Sequence, residues 1–196
     1  MIKLIIFDAY GVVITGGYPF TAQKVAKRFK INEQKAYKII YGFFNQAAER
    51  KISQKFAWEK AVQALNLPIT GEELKQIHYS TFGLNRSILP MIKNWQKQEI
   101  KTLLLSKNTR PQFKDINDTF PELRKTFGKN IINTWELRLP KASKATMLYL
   151  FKRYKVKGNE VVMIDDQLQN LIEAKKLGVK SLVYKGLREL KKKNFI

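Results

Sequence analysis

Unbroken apolar runs are the first pattern in this chain. They are short, rich in branched residues, and do not alternate with polar residues. Such runs are typical of strands buried on both faces of a parallel sheet. The pattern therefore predicts strands over residues 3–8, 101–106, 130–134, 160–164 and 181–184.

A different pattern fills the region between the first strand and Pro90. Gly16-Gly17 interrupts regular structure. After it, apolar residues recur at the spacing of amphipathic helices, over residues 21–29, 33–50, 54–65 and 71–80. Ser53 is predicted to be an N-cap, and Thr70 with Glu73 forms a predicted capping box. We expect no strand in this region.

Beyond Pro90, helical and strand patterns alternate. Helices are predicted over residues 91–97, 121–127, 143–155 and 168–177, with a short helix or frayed tail from Arg188. Gly178 is a typical residue just past a helix end. The alternation predicts an α/β fold, a Rossmann-like parallel sheet flanked by helices. We assign residues 1–14 and 90–196 to this core and 15–89 to an inserted all-helical domain.

Polar residues follow three of the predicted strands directly. Asp8 ends the first, Ser106 the second, and Asp165-Asp166 the one that begins near residue 160. Right-handed crossovers place the carboxyl ends of parallel strands at one edge, where α/β proteins bind ligands. The sequence therefore predicts that these side chains meet at one site.

Composition adds one unusual feature, a net charge of +21 from 37 Lys and Arg against 16 Asp and Glu. Such a charge attracts nucleic acid and other anions, but the lysines are scattered and no nucleic-acid motif is present. Compositional bias is favoured over nucleic-acid binding.

With no cysteine, disulfides and thiolate sites are excluded. No signal peptide or membrane span is evident, so a cytoplasmic protein without membrane association is expected.

Four motifs in order resemble those of the haloacid dehalogenase-like (HAD) hydrolase superfamily. They are Asp8-Ala9-Tyr10-Gly11 after a strand, Ser106 after a strand, Lys141 before a helix, and Asp165-Asp166 with Asn170 after a strand. The helical insertion occupies the position of the family's cap. With this insertion, the chain resembles the helical-cap branch of the family, which includes small sugar-phosphate phosphatases and 2-haloacid dehalogenases.

The resemblance implies a role for each motif residue. Asp8 would be the nucleophile, Ser106 would hydrogen-bond the transferring group, and Lys141 would neutralise charge. Mg²⁺ would be held by Asp8, Asp166 and the carbonyl of Tyr10. The remaining assignments are Asp165 and Asn170 as residues that orient the metal ligands, and Tyr10, Lys107 and Asn108 as substrate-binding residues.

Each assignment has a plainer alternative. A carboxylate at the end of a strand, such as Asp8, can simply cap the next loop, and Ser106 can be a turn residue. Lys144 competes with Lys141 for the same role. His78, the only histidine, is expected to be structural.

Tyr10 departs from the pattern of most phosphatases in the family, which carry a second Asp there as general acid. It fits a dehalogenase, because halide leaves without a proton. It also fits a phosphatase whose leaving group needs no acid, or an impaired protein that binds anionic partners. The retained Asp165-Asp166 pair favours a cation beside Asp8. We therefore favour a Mg²⁺-dependent phosphatase of a small phosphorylated metabolite over a 2-haloacid dehalogenase.

Overall fold

The computed structural model describes residues 1–192 as two compact units. One unit combines Met1–Ile14 with the chain from Leu84 onward, and the other is Thr15–Gly83. Residues 84–89, which the sequence pattern had grouped with the insertion, belong to the first unit.

Strands of the described residues form two sheets. They are β1 (Leu4–Asp8), β2 (Ile14–Thr15), β3 (Gly83–Leu84), β4 (Lys101–Ser106), β5 (Ile131–Asn133), β6 (Val161–Asp165) and β7 (Lys180–Val183). The larger sheet has the order β5-β4-β1-β6-β7 with every pairing parallel, and β2 pairs with β3. The predicted fold class, a parallel sheet flanked by helices, is confirmed.

Helices occupy most of the remaining chain. They are α1 (Tyr18–Phe29), α2 (Glu33–Ala48), α3 (Gln54–Leu65), α4 (Gly71–Tyr79), α5 (Leu89–Lys97), α6 (Arg110–Thr119), α7 (Pro121–Phe127), α8 (Thr134–Leu137), α9 (Lys144–Tyr154), α10 (Ile172–Lys176) and α11 (Leu187–Lys192), with 3₁₀ turns at Gly158–Glu160 and Leu168–Leu171. Residues 193–196 of the predicted C-terminal helix or tail lie outside the described part.

The core of the α/β unit lies on both faces of the sheet. All five residues of β1 and of β6 are buried. The ring of Phe7 lies 5.9 Å from that of Trp95 in α5 and 6.0 Å from that of Phe127 in α7. On the opposite face of the sheet, Leu4 and Ile6 belong to a hydrophobic cluster that includes residues of α9 and α10. Burial on both faces explains why these strands do not alternate.

The helical unit has its own core, drawn from α1 to α4. Ala22, Ile40, Phe44, Trp58 and Leu74 are among its buried residues. The described residues 16–82 contain no strand, but the prediction of none between β1 and Pro90 is wrong at the two ends of that region, where β2 and β3 lie.

Both predicted helix caps of this unit are present. The hydroxyl of Ser53 accepts a hydrogen bond of 3.1 Å from the backbone N–H of Phe56. Thr70 and Glu73 form the capping box. The Thr70 hydroxyl accepts from the Glu73 N–H at 3.2 Å, and the Glu73 carboxylate accepts from the Thr70 N–H at 2.8 Å. Local capping chemistry therefore fixes the starts of α3 and α4.

Several elements differ from the sequence-based prediction. Strand β3 lies in a region expected to be helical throughout, and α6 and α8 were not predicted. The helix expected over residues 168–177 begins as a 3₁₀ turn before α10. Among residues 1–192, no helix combines the length and apolar character needed to cross a bilayer.

Candidate active site

Three carboxylates converge where β1 and β6 end. Asp8 is the last residue of β1, Asp165 the last of β6, and Asp166 follows it. Because β1 and β6 are adjacent parallel strands, their carboxyl ends share one edge. Oxygens of the three side chains lie within 4.8 Å of one another. Asp8 and Asp165 are buried, and Asp166 is exposed.

The ammonium of Lys141 joins two of these carboxylates. Its Nζ lies 2.5 Å from Oδ1 of Asp8 and 3.0 Å from Oδ2 of Asp165. The Lys141 side chain is only 9% exposed, so this contact is shielded from solvent. Lys144, the alternative in the sequence, is exposed. Lys141 is therefore the lysine that the fold brings to the carboxylates.

Burial and charge shift the acidity of this cluster. Burial, opposed by Lys141 and reinforced by the neighbouring Asp165, raises the pKa of Asp8 to about 7. Partial desolvation by the surrounding protein also raises the pKa of the otherwise exposed Asp166, with Asp165 adding to the effect. For Asp165, burial acts upward, but Lys141 and two hydrogen bonds outweigh it and lower the pKa. Burial acts to lower the pKa of Lys141, and the two carboxylates outweigh it and raise that pKa.

Hydrogen bonds from the following loop hold Asp165 in place. Its Oδ1 accepts from the backbone N–H of Gln167 at 3.0 Å and from Nδ2 of Asn170 at 3.0 Å. With Oδ2 on Lys141, both oxygens of Asp165 are engaged by the protein. Asp165 is thus suited to orient its neighbours, whereas Asp166 remains accessible.

Gly11 leaves the space that Asp166 occupies. Its φ of +77° is a left-handed backbone conformation that favours glycine. A Cβ at this position would overlap the carboxylate of Asp166. The glycine turn after β1 therefore allows Asp166 to approach the loop that carries Asp8 and Tyr10.

A group of hydrogen-bonding side chains lies at the ends of β1 and β4. Ser106 ends β4 and is buried, as is Asn108. Nδ2 of Asn108 donates to the hydroxyl oxygen of Tyr10 at 2.6 Å and to Oγ of Ser106 at 3.1 Å. The loops after β1 and β4 are thereby joined through these three residues. Lys107 is half-buried between Ser106 and Asn108.

Asn133 is a site-proximal residue that the sequence analysis missed. It ends β5, and its side chain exchanges two hydrogen bonds with the backbone of Asn108. The available signal was the one that identified Asp8 and Ser106, a polar residue directly after an apolar strand. His78, in contrast, is fully buried in the helical unit, consistent with a structural role.

The donor set suits a hard cation. Carboxylate and carbonyl oxygens are the ligands that Mg²⁺ prefers, and the three carboxylates offer oxygens within 4.8 Å of one another. A buried carboxylate, an ammonium in contact with it and an acidic pair form an arrangement suited to hydrolysis. Fold and site together define a class of α/β hydrolase.

The family comparison agrees with this class. The model of the haloacid dehalogenase-like hydrolases matches residues 2–178. The chain belongs to this family. Comparison with curated proteins gives no match.

Solved structures of the same fold include two kinds of enzyme. A HAD family enzyme of Bacteroides thetaiotaomicron is 17% identical, with a TM-score of 0.75 over 98% of this chain and 99% of that one. Its complex with magnesium and inorganic phosphate gives 0.73 at 16% identity, over 94% and 95% of the two chains. The L-2-haloacid dehalogenase of Xanthobacter autotrophicus, with chloropropionic acid covalently bound, gives 0.67 at 15% identity over 100% and 85%.

Proposed function

We propose that this protein is a Mg²⁺-dependent phosphatase that hydrolyses a small phosphorylated metabolite through a phosphoryl group carried on Asp8. The observation that supports it most strongly is the buried contact of Asp8 with Lys141 beside the Asp165-Asp166 pair. Two carboxylates beside the nucleophile oppose an anionic substrate unless a cation compensates for them. Lys141 supplies one positive charge against three carboxylates, so a metal ion is the best explanation for the acidic pair.

Asp8 performs the covalent step. One oxygen of its carboxylate attacks phosphorus, the bond from phosphorus to the leaving oxygen breaks, and that oxygen departs with the bonding electrons. Water then attacks phosphorus and gives up a proton to solvent, the bond from phosphorus to the Asp8 oxygen breaks, and inorganic phosphate leaves with the Asp8 carboxylate restored. Lys141, 2.5 Å from Asp8, offsets the negative charge that these two steps bring together.

The hydroxyl of Ser106 and the amide of Asn108 are the proposed contacts for the phosphoryl oxygens, with Lys107 and Tyr10 lining the same place. Asp8, Asp166 and the Tyr10 carbonyl are the proposed metal ligands, oriented by Asp165 and Asn170. When bound, Mg²⁺ would supply positive charge that stabilises the transferring group. The structural relative crystallised with magnesium and inorganic phosphate supports this proposal by analogy.

Dehalogenation is the second candidate, and Tyr10 is the observation that favours it. Halide departs without a proton, so a tyrosine two residues beyond the nucleophile is no disadvantage. A dehalogenase is also among the structural relatives. The acidic pair weighs against this candidate, because attack on a haloacid carbon needs no metal.

The deciding experiment measures product release by the purified chain. With Mg²⁺, the wild-type protein should release phosphate from members of a panel of small phosphate esters and acyl phosphates. Chelation with EDTA and the variant Asp8→Asn should each abolish release. Asp118→Asn is the matched control, because Asp118 is an exposed carboxylate paired with Lys114 and Arg124.

Two outcomes would contradict the phosphatase proposal. Phosphate release by Asp8→Asn at the wild-type rate would exclude the covalent mechanism. Metal-independent chloride release from 2-chloropropionate, without phosphate release from any ester, would instead identify a dehalogenase.

A further inference from the structure

Asn133 lies beside Ser106 in the sheet. The two residues are register partners in the parallel pair of β4 and β5. Asn133 is the last residue of its strand and is 4% exposed. Its side chain is therefore fixed at the same sheet edge as Ser106, one strand farther from Asp8.

The Asn133 side chain makes hydrogen bonds to both backbone polar groups of one residue in the loop after β4, Asn108. Oδ1 accepts from the backbone N–H of Asn108 at 3.0 Å, and Nδ2 donates to the carbonyl of Asn108 at 2.9 Å. A side-chain amide here supplies the donor and acceptor that another strand residue would have provided. It continues the pairing of β4 and β5 beyond the point where β5 ends.

This pairing fixes the residue whose side chain contacts Ser106 and Tyr10. The amide of Asn108 lies 2.6 Å from the Tyr10 hydroxyl and 3.1 Å from Oγ of Ser106. Rotation of the Asn108 backbone would move that amide away from both. The hydrogen bonds thus run from Asn133, through Asn108, to two residues of the candidate site.

We propose that Asn133 is a positioning residue, which holds the loop after β4 so that Ser106 and Asn108 meet the phosphoryl oxygens. This inference rests on the proposed phosphatase function. Asn133 does not contact the substrate in this account. It acts through Asn108, and its removal impairs turnover because small displacements of binding groups slow catalysis strongly.

A plainer role for Asn133 is to cap α8. Its Oδ1 also accepts from the N–H of Trp135 at 3.3 Å. The substitution Asn133→Asp separates the two roles, because aspartate is an equally good N-cap and keeps the acceptor. It replaces the donor Nδ2 with a carboxylate oxygen facing the Asn108 carbonyl, so it breaks one of the two hydrogen bonds to the loop and leaves the acceptor of the cap in place.

The experiment compares Asn133→Asp with Asn117→Asp. Asn117 is also buried, and its Nδ2 donates to the Phe113 carbonyl at 2.7 Å, so the control makes the same chemical change within α6. We expect Asn133→Asp to lower kcat/KM for phosphate release by roughly 10- to 100-fold. The control should lose comparable thermal stability and retain its turnover. Equal turnover in the two variants would overturn the proposal.

A second measurement does not depend on turnover. Hydrogen exchange of the backbone amides of residues 106–109 should become faster in Asn133→Asp and stay unchanged in Asn117→Asp. If the wild-type chain released no phosphate, the proposed function would fail, and this comparison would still decide whether Asn133 orders the loop. Unchanged exchange in Asn133→Asp would refute the positioning role.

A double-mutant cycle shows whether Asn133 acts through Asn108. In an Asn108→Ala background, where the amide that contacts Tyr10 and Ser106 is gone, Asn133→Asp should cost much less turnover than in the wild type. Additive losses in kcat/KM would contradict the proposed route. Asn133→Ala, which removes cap and pairing together, should be the more destabilised variant and no less impaired in turnover than Asn133→Asp.

Discussion

Tyr10 is the residue that distinguishes this site from one with a carboxylic acid for the leaving group. Its hydroxyl oxygen accepts a hydrogen bond from Asn108 at 2.6 Å. A phenol ordinarily titrates near pH 10, which makes it a weak proton donor at neutral pH. In our proposal, Tyr10 serves mainly to join the loops after β1 and β4, and the substrates hydrolysed best are those whose leaving groups depart as stable anions.

Replacing Tyr10 by aspartate should supply the missing acid. We expect Tyr10→Asp to raise kcat/KM for alkyl phosphates relative to aryl phosphates by at least about tenfold, since a positioned general acid contributes roughly 10²- to 10⁴-fold. The measurement is phosphate release from paired alkyl and aryl esters. Tyr10→Asn is the control, having the size of aspartate without an acidic proton. If both variants changed the ratio equally, the acid would not be the cause.

At the residue scale, the sequence was sufficient to predict those site residues that stand at the end of a strand. Asp8, Ser106 and Asp165 could be placed because apolar runs fix where the strands stop. The pairing of Asn108 with Asn133 could not be predicted. It depends on β5 ending beside β4, and β5 has only three residues.

Helix α6 shows what the hydrophobic pattern does not detect. Two of its three buried residues, Gln112 and Asn117, are polar, so no apolar stripe marks the helix. Its sequence also includes Asn, Asp and Thr, which have low helix propensity. In contrast, Ser53 and Thr70 identified the starts of α3 and α4, because caps depend on neighbouring residues only.

Helix α4 carries the most deeply buried titratable group of the helical unit. His78 is fully buried, with its Nδ1 2.7 Å from the hydroxyl oxygen of Thr21. The rings of Tyr18, Phe82 and Trp58 lie 4.7, 4.7 and 5.1 Å from its own. Burial lowers the pKa of His78 to about 3, so the neutral form is the folded form.

Lowering the pH should therefore reduce the free energy of unfolding, because the buried His78 resists protonation. The unfolded chain takes up a proton near pH 6.5, whereas the folded chain does so only near pH 3, so stability falls as the pH falls between these values. From pH 7.5 to 5.5 the loss attributable to His78 is about 1.4 kcal/mol. Urea unfolding of the wild type and of His78→Asn at both pH values measures it.

The comparison of these two proteins isolates the histidine. Asp8, whose pKa is raised, stabilises the fold as the pH falls through 7 and so acts in the opposite direction, but it is present in both. The chain has a single histidine, so no other imidazole contributes. His78→Asn should be less stable at pH 7.5 and should lose about 1.4 kcal/mol less than the wild type on acidification. Equal losses would show that His78 does not drive the change.

On the scale of the whole molecule, the net charge of +21 has a consequence for stability. Like charges repel in the compact state, and salt screens them. The screening length shortens from about 30 Å at 0.01 M salt to about 8 Å at 0.15 M. We therefore expect the midpoint of thermal unfolding to rise over this range of NaCl.

Differential scanning calorimetry at several NaCl concentrations checks this expectation. An uncharged solute at equal osmolarity is the control and should not reproduce the shift. Exposed ion pairs such as Lys114 with Asp118 weaken with salt and act in the opposite direction. A falling midpoint would mean that such pairs outweigh the general repulsion.

Strands β2 and β3 pair with each other, and the chain passes into the helical unit within β2 and returns within β3. A segment that starts and finishes at adjacent points behaves as a cassette. Evolution can lengthen it, shorten it or exchange it for another without rethreading the sheet. The carboxylates at the ends of β1 and β6 belong to the other unit and would keep their positions through such changes.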